Sequence, residues 1–280
     1  MRKLIAPPVR RIRRALIEQI ARQGRRLESR YNLPPRPYTP LPEVERALAL
    51  PTTGLADPAP GPPLSELLPA SLAEHTEPSS REIFALDGRP LPCWQESDTN
   101  LYDDWLTAPN YYPVYYHVFK RLADTDQPVR MLEIGVRTGY MGVAFARAAR
   151  GRCMYLGVDP NLYVRHGLQL AGETFRILRE HLPLADFALI EGFSWDAEVQ
   201  RSLTHSGPFD IIHIDGDHTV PGKLVDLELA RRLIAPGGVV LVDDYEHHSI
   251  VADAIRRAWR LGWYQQFGFV PTKRGLAVLR

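Results

Sequence analysis

Short apolar runs that stop abruptly at charged residues dominate the second half of the chain. Phe209–Ile214 (FDIIHI) ends in Asp215-Gly216-Asp217-His218, and Val239–Val242, after the turn Pro236-Gly237-Gly238, ends in Asp243-Asp244. Near-continuous apolar runs of strand length belong to strands buried on both faces, as in parallel sheets covered by helices. Upstream, Met131–Ile134 ends in the turn Gly135 to Gly139, and Met154–Val158 ends at Asp159-Pro160. Leu189-Ile190-Glu191 is a further strand end, leading into Gly192-Phe193-Ser194. Tyr140–Arg150 reads as a helix, and Ile250–Leu261 as another, with Val251, Ala254, Ile255 and Ala258 on one face. Two last apolar runs, Trp263–Val270 and Gly275–Leu279, are separated only by Pro271-Thr272-Lys273-Arg274, a connection so short that the strands must be antiparallel. The pattern predicts an α/β fold: a doubly wound, mostly parallel seven-stranded sheet with a C-terminal antiparallel hairpin.

The first third has a different pattern. Val9, Ile12, Leu16, Ile20 and Leu27 recur at helical spacing, so residues 1–30 read as an amphipathic helix. Charge changes that picture: this stretch holds ten Arg or Lys against Glu18 and Glu28, whereas the whole chain has a net charge of only +1. Such a helix fits docking in a homo-oligomer, the reading preferred here, or peripheral contact with an anionic membrane. With no aromatic residue before Tyr31 to stack on bases, no nucleic acid is expected as partner. Fourteen prolines fall between Tyr31 and Pro92, which excludes a continuous helix or central strand; residues 31–97 therefore read as a proline-rich arm or linker, with room for short helices at 41–50 and 64–74. Residues 98–280 form the α/β domain in this division. Its leading segment, Asp98–Arg121, is rich in tyrosine, and Tyr111 and Tyr112, just before Pro113, are candidates for lining a pocket.

Composition adds constraints. The chain has 280 residues, enough for one large α/β domain with a smaller addition, and its 45% hydrophobic content is ordinary. No apolar run reaches the roughly 18 residues of a membrane span, and the opening segment is too short and proline-broken for a signal peptide. Cys93 and Cys153 lack metal-ligand spacing and fit a reduced compartment, so a cytoplasmic site is expected.

The strand ends carry the candidate chemistry. Neighbouring strands lie about 4.8 Å apart, so Asp215, Asp243 and Asp244 can converge on one point, a cluster that calls for a cation. The turn Gly135 to Gly139 lets a ligand approach backbone and helix N-terminus, and Asp159, twenty positions after Gly139, suits the hydroxyls of a ribose. A dinucleotide turn would require a middle glycine where Arg137 stands, which disfavours NAD and an oxidoreductase. Each residue also has an ordinary structural role open to it. Asp215 can cap a turn, Asp217 with Gly216 is good turn chemistry, and His213 within its strand reads as an interior hydrogen-bonded residue. His247 and His248 can line the pocket or sit on the surface.

Taken in order, these motifs resemble the class I S-adenosylmethionine-dependent methyltransferases, over roughly residues 98–280. Within that family the likeness is to the cation-dependent O-methyltransferases that act on sugars and natural products. The resemblance implies S-adenosylmethionine bound by Glu133, Gly135, Gly139, Asp159, Glu191, Ser194 and Asp215. It implies a divalent cation, by default Mg2+, on Asp215, Asp243 and Asp244, with Asp215 and His218 as catalytic residues and His218 as general base. The acceptor implied is a hydroxyl of a small molecule or sugar. A methyltransferase sheet ends in a reversed strand, which agrees with the C-terminal hairpin and speaks against a nicotinamide-binding sheet. The competing reading from a different class is an inactive cofactor-binding module that uses its basic helix to hold a partner or membrane.

Overall fold

The computed structural model describes residues 41–51, 54–97, 111–162 and 166–280. The basic helix expected over residues 1–30, and Tyr102 and Trp105 of the aromatic segment, lie outside the described residues.

A small hairpin, β1 (Ala85–Leu86) with β2 (Arg89–Pro90), precedes a seven-stranded sheet. The sheet's strands are β3 (Val129–Ile134), β4 (Cys153–Asp159), β5 (Asp186–Glu191), β6 (Phe209–Ile214), β7 (Ile234–Val242), β8 (Phe267–Val270) and β9 (Leu276–Leu279). Their spatial order is β5-β4-β3-β6-β7-β9-β8; β3 to β7 run parallel, and β9 is antiparallel to both its neighbours. β3 and β4 are buried along almost their whole length, as their continuous apolar runs require, whereas the edge strand β5 is buried mainly at Phe187 and Ala185 before it.

Register sets up the site. Ile134 pairs with Val158 on one side and with Ile214 on the other, and Ile214 pairs with Val242. Four strands therefore end at one level, and the next residues, Gly135, Asp159, Asp215 and Asp243, emerge side by side. The chain order reverses between β3 and β6, and the crevice outside the strand ends at such a switch point is where open α/β sheets bind ligands. Gly135 is needed there for a steric reason: its φ is +95°, and a Cβ would sit 2.3 Å from the carbonyl oxygen of Asp215.

Two boundaries differ from the sequence reading. Pro236-Gly237-Gly238 is an irregularity inside β7: Phe209 pairs with Ile234, and the pairing then shifts so that Ile211 meets Val239. β8 starts at Phe267 rather than Trp263, because Trp263 closes the helix Ser249–Arg260 by donating to the Ala258 carbonyl and Tyr264 donates its hydroxyl to Leu227 O at 2.7 Å.

The larger correction concerns the proline-rich segment. Its described residues form short helices, three of them beginning with proline (Pro42–Leu48, Pro62–Leu67 and Pro92–Ser97), and they pack on the sheet domain rather than extending as an arm. Leu64, Leu68, Leu72, Ile83, Phe84 and Leu91 are buried in the same core as Tyr115, Val270 and Val278. Gly61 donates its N–H to Phe267 O at 2.8 Å, and buried Arg257 donates to the carbonyls of Ala47 and Leu50, satisfying the end of the helix Pro42–Leu48. The prolines break long elements, but the leucines between them supply the apolar area that fixes the segment on the sheet.

Candidate active site

On the β3–β4 side, polar groups meet partners close by. Glu133, 2% exposed, accepts a short hydrogen bond from the Tyr155 hydroxyl, and its other oxygen lies 3.4 Å from His213 Nδ1. Burial pushes the Glu133 carboxyl upward from its ordinary pKa against the pull of His213. His213 is fully buried, as its strand position implied, with its ring edge-on to Tyr115. Asp159 accepts from the backbone N–H of Arg137 at 2.9 Å and of Asn161 at 2.6 Å, so it ties the glycine turn to the end of β4. Glu191, paired with Asp159, is exposed at the end of β5. Ser194 is buried and turned inward, its hydroxyl donating to Asp226 at 2.5 Å.

The same turn retains features that fit a cofactor. Gly139 (φ +93°) begins the helix Tyr140–Ala148 with no side-chain cap, leaving first-turn N–H groups facing the crevice end. Thr138, 2% exposed, has a buried hydroxyl without a hydrogen-bond partner. An uncapped helix start, an orphaned hydroxyl and the carboxylates Asp159 and Glu191 suit a ligand carrying both a carboxylate and positive charge. Gly139 also allows helix packing, since a Cβ there would lie 3.0 Å from the Phe175 ring.

On the β6–β7 side the carboxylates are less completely met. Asp243 is fully buried; the Tyr111 hydroxyl donates to its Oδ2 at 2.5 Å, while Oδ1 has no partner. Burial, reinforced by the charges of Asp215 and Asp244, pushes the Asp243 carboxyl up to about 6. Asp244, also fully buried and at φ +68°, is gripped on both oxygens by Arg274, through Nε and a terminal nitrogen. His218 Nε2 lies 2.9 Å from Asp244 Oδ2 and 3.5 Å from Asp215 Oδ1, and His248 Nε2 lies 3.6 Å from the same Asp244 oxygen. Burial works to lower the His218 pKa, but the two carboxylates overcome it and raise it to about 9. Burial likewise opposes ionisation of Asp215, yet His218, Arg274 and His213 hold its carboxyl below the usual range.

The structure places Asp215, Asp243 and Asp244 at adjoining strand ends, with His218 against Asp215 and Asp244, and adds Tyr111 from the aromatic helix Tyr111–Leu122; among the described residues the ligand atoms that group within 4.8 Å of one another are those of His218, Asp244 and His248. Tyr112 instead packs against Phe84 and Tyr140. Asp217 accepts from Thr219 N at 2.9 Å, the turn role open to it, and His247 is exposed. Arg274 was not legible as a site residue, because in sequence it is one of four turn residues. Its placement follows from Tyr245, Glu246 and His247, whose N–H groups all donate to the carbonyls of Arg274 and Gly275 and dock the hairpin turn on the loop after Asp244.

Comparison with known proteins bears on this arrangement. Residues 132–245 match a family described as a methyltransferase domain, a span that starts in β3 and ends just beyond Asp244. The match takes in the glycine turn, Asp159 and the strand-end carboxylates Asp215, Asp243 and Asp244, so over these residues the chain is similar to methyltransferase domains. The chain is also 30% identical over 135 residues, 47% of its length, to the O-methyltransferase ankF of Aspergillus thermomutatus. The chain spans about half the length of that relative, 52%. Two solved structures share the fold. One is an O-methyltransferase from Bacillus cereus in complex with SAH, at TM-score 0.50 and 17% identity, covering 67% of this chain and 89% of its own. The other is the SAH-bound Podospora anserina methyltransferase PaMTH1, at TM-score 0.50 and 16% identity, covering 80% of this chain and 98% of its own. Among the described residues no helix is long and apolar enough to cross a membrane.

Proposed function

We propose that the chain is an O-methyltransferase that moves the methyl group of S-adenosylmethionine to a hydroxyl of a small molecule or sugar, assisted by a divalent cation. The observation that carries the reading is the set of strand-end carboxylates at the switch point of a methyltransferase sheet. Asp243 Oδ1 is a buried acceptor without a hydrogen-bond partner and Asp215 Oδ1 has only His218 Nε2 at 3.5 Å, the condition a cation relieves. An all-oxygen set from Asp215, Asp243 and Asp244 fits a hard ion such as Mg2+. When bound, such an ion supplies charge that lowers the pKa of a coordinated hydroxyl.

The protein's own residues have definable tasks. Arg274 and Tyr111 fix Asp244 and Asp243 in orientation, so that two carboxylates on adjacent residues face one crevice. His218 accepts the acceptor's proton at Nε2, the atom turned to Asp215 and Asp244. Those carboxylates are what hold its proton in the cation-free chain, and with their charge met otherwise the imidazole would be the freer to act as base. The turn from Gly135 to Gly139, with Thr138, Asp159 and Glu191, positions the cofactor. Methyl transfer is an in-line displacement at an already activated carbon, and alignment of acceptor oxygen, methyl carbon and sulfur then accounts for most of the rate.

Calorimetric titration of the full chain with S-adenosylmethionine, S-adenosylhomocysteine and NAD tests the reading. Micromolar binding of both sulfur nucleotides and none of NAD is expected. Absence of binding by either sulfur nucleotide overturns it.

A further inference from the structure

Beyond the carboxylate set, a second group of ligand atoms surrounds Asp244. We propose that His218, Asp244 and His248 form a site for a nitrogen-favouring divalent cation of the zinc class, and that its occupation takes His218 out of use as a base. One ligand atom from each residue lies within 4.8 Å of the other two. Both imidazoles direct Nε2 at the same carboxylate oxygen, Asp244 Oδ2, from 2.9 and 3.6 Å. Zinc bonds of about 2.0–2.1 Å in a tetrahedral arrangement separate ligand atoms by about 3.3 Å, and the two observed separations bracket that value.

Several features distinguish this set from an ordinary ion pair. His218 Nε2 lies 2.9 Å from Asp244 Oδ2, so the oxygen that shares its proton in the cation-free chain is the one a zinc-class ion would share with it. Arg274 holds Asp244 through both oxygens, which fixes the carboxylate while Oδ2 retains a second lone pair. The two rings lie 4.9 Å apart and come from independent elements, His218 from the loop after β6 and His248 from the cap of the helix Ser249–Arg260. The rings of His218 and His248 are each 39% exposed, while His218 Nε2 itself is buried against Asp244.

Donor chemistry separates the two cation classes. Imidazole nitrogen suits zinc and iron(II), whereas magnesium prefers oxygen and retains water. A magnesium-class ion among the carboxylates leaves the His218 nitrogen free, while a zinc-class ion binds that nitrogen directly. The binding claim stands on geometry alone; the loss of base function rests on the proposed role of His218.

The test is a zinc titration of the full chain in excess Mg2+, by calorimetry and by nitrogen NMR of the histidine side chains, with Co2+ absorption as a geometric readout. One zinc per chain is expected, with the Nε2 signals of both His218 and His248 shifting together. His248→Ala is expected to weaken zinc binding at least tenfold, and His247→Ala, at the exposed neighbour, to leave it unchanged. Undiminished zinc affinity in His248→Ala, or movement of only one of the two histidine signals, overturns the proposal. A chain that binds zinc in this way but no sulfur nucleotide refutes the methyltransferase activity and not the metal site.

Discussion

The two halves of the strand-end crevice treat negative charge differently. On the β3–β4 side, Asp159 is answered by backbone N–H groups, donors that cannot leave, and Glu133 by a phenol with the buried His213 beside it. On the β6–β7 side, Asp215, Asp243 and Asp244 are answered by an arginine, two histidines and a tyrosine, and oxygens remain unpartnered. Fixed neutral donors make a rigid seat for a ligand that is bound and released unchanged in shape at that end. Ionisable partners make a site whose charge changes during a reaction.

Breaking the reactive half has the largest expected effect. His218→Gln keeps a polar side chain and removes the base, and methyl transfer is predicted to fall about 10²–10⁴-fold with sulfur-nucleotide affinity unchanged, measured by initial rates and calorimetry. Arg274→Met leaves the buried Asp244 carboxylate without its cation and is expected to cost about 3–5 kcal/mol of stability in denaturant titration, part of it recovered by added divalent ions. Tyr111→Phe removes a hydrogen bond to a buried charged group, with an expected loss of about 1.5–3 kcal/mol by the same measurement.

The pH dependence sharpens the contrast. The His218 pKa is raised to about 9 in the cation-free chain, so its contribution to stability is fully present below the unfolded value of 6.5 and disappears as pH rises through 9. Wild-type Tm without added cations should therefore fall more steeply across that window than the Tm of His218→Gln. The smallest effect is expected far from the crevice. Asp57, whose carboxyl is held below its ordinary pKa by the hydrogen bond from Arg256, tethers the proline-rich segment at the surface, and Asp57→Asn is predicted to cost about 0–1 kcal/mol.

The contrast between the halves was only partly legible in the sequence. Runs such as Phe209–Ile214 stop at carboxylates, and parallel pairing puts those stops at one level, so the nearness of Asp215, Asp243 and Asp244 was legible from the pattern, whereas His218 entered through the family resemblance. What sequence could not show is which groups answer the charge. Arg274 reaches Asp244 only because an antiparallel hairpin returns to the sheet beside β7, and His248 only because the loop after Asp244 folds back on that hairpin. Ser194 shows the converse: a residue in a cofactor-like position whose hydroxyl points inward to Asp226 on a helix some thirty residues later. The proline-rich segment misled for a related reason. Local composition reports the absence of long elements, while the burial of Leu64 and Leu68 depends on the distant β8 and β9 strands.

The most direct test of the account is a Mn2+ titration, followed by electron paramagnetic resonance, of the wild-type chain and of Asp215→Ala and Asp243→Ala, with circular dichroism as the check on folding. One Mn2+ per chain, displaced by Mg2+ and lost in both folded variants, is the predicted result. Folded variants that bind Mn2+ as the wild type does, or a wild type that binds none, would contradict the claim that the unmet charge at the β6–β7 strand ends is a cation site.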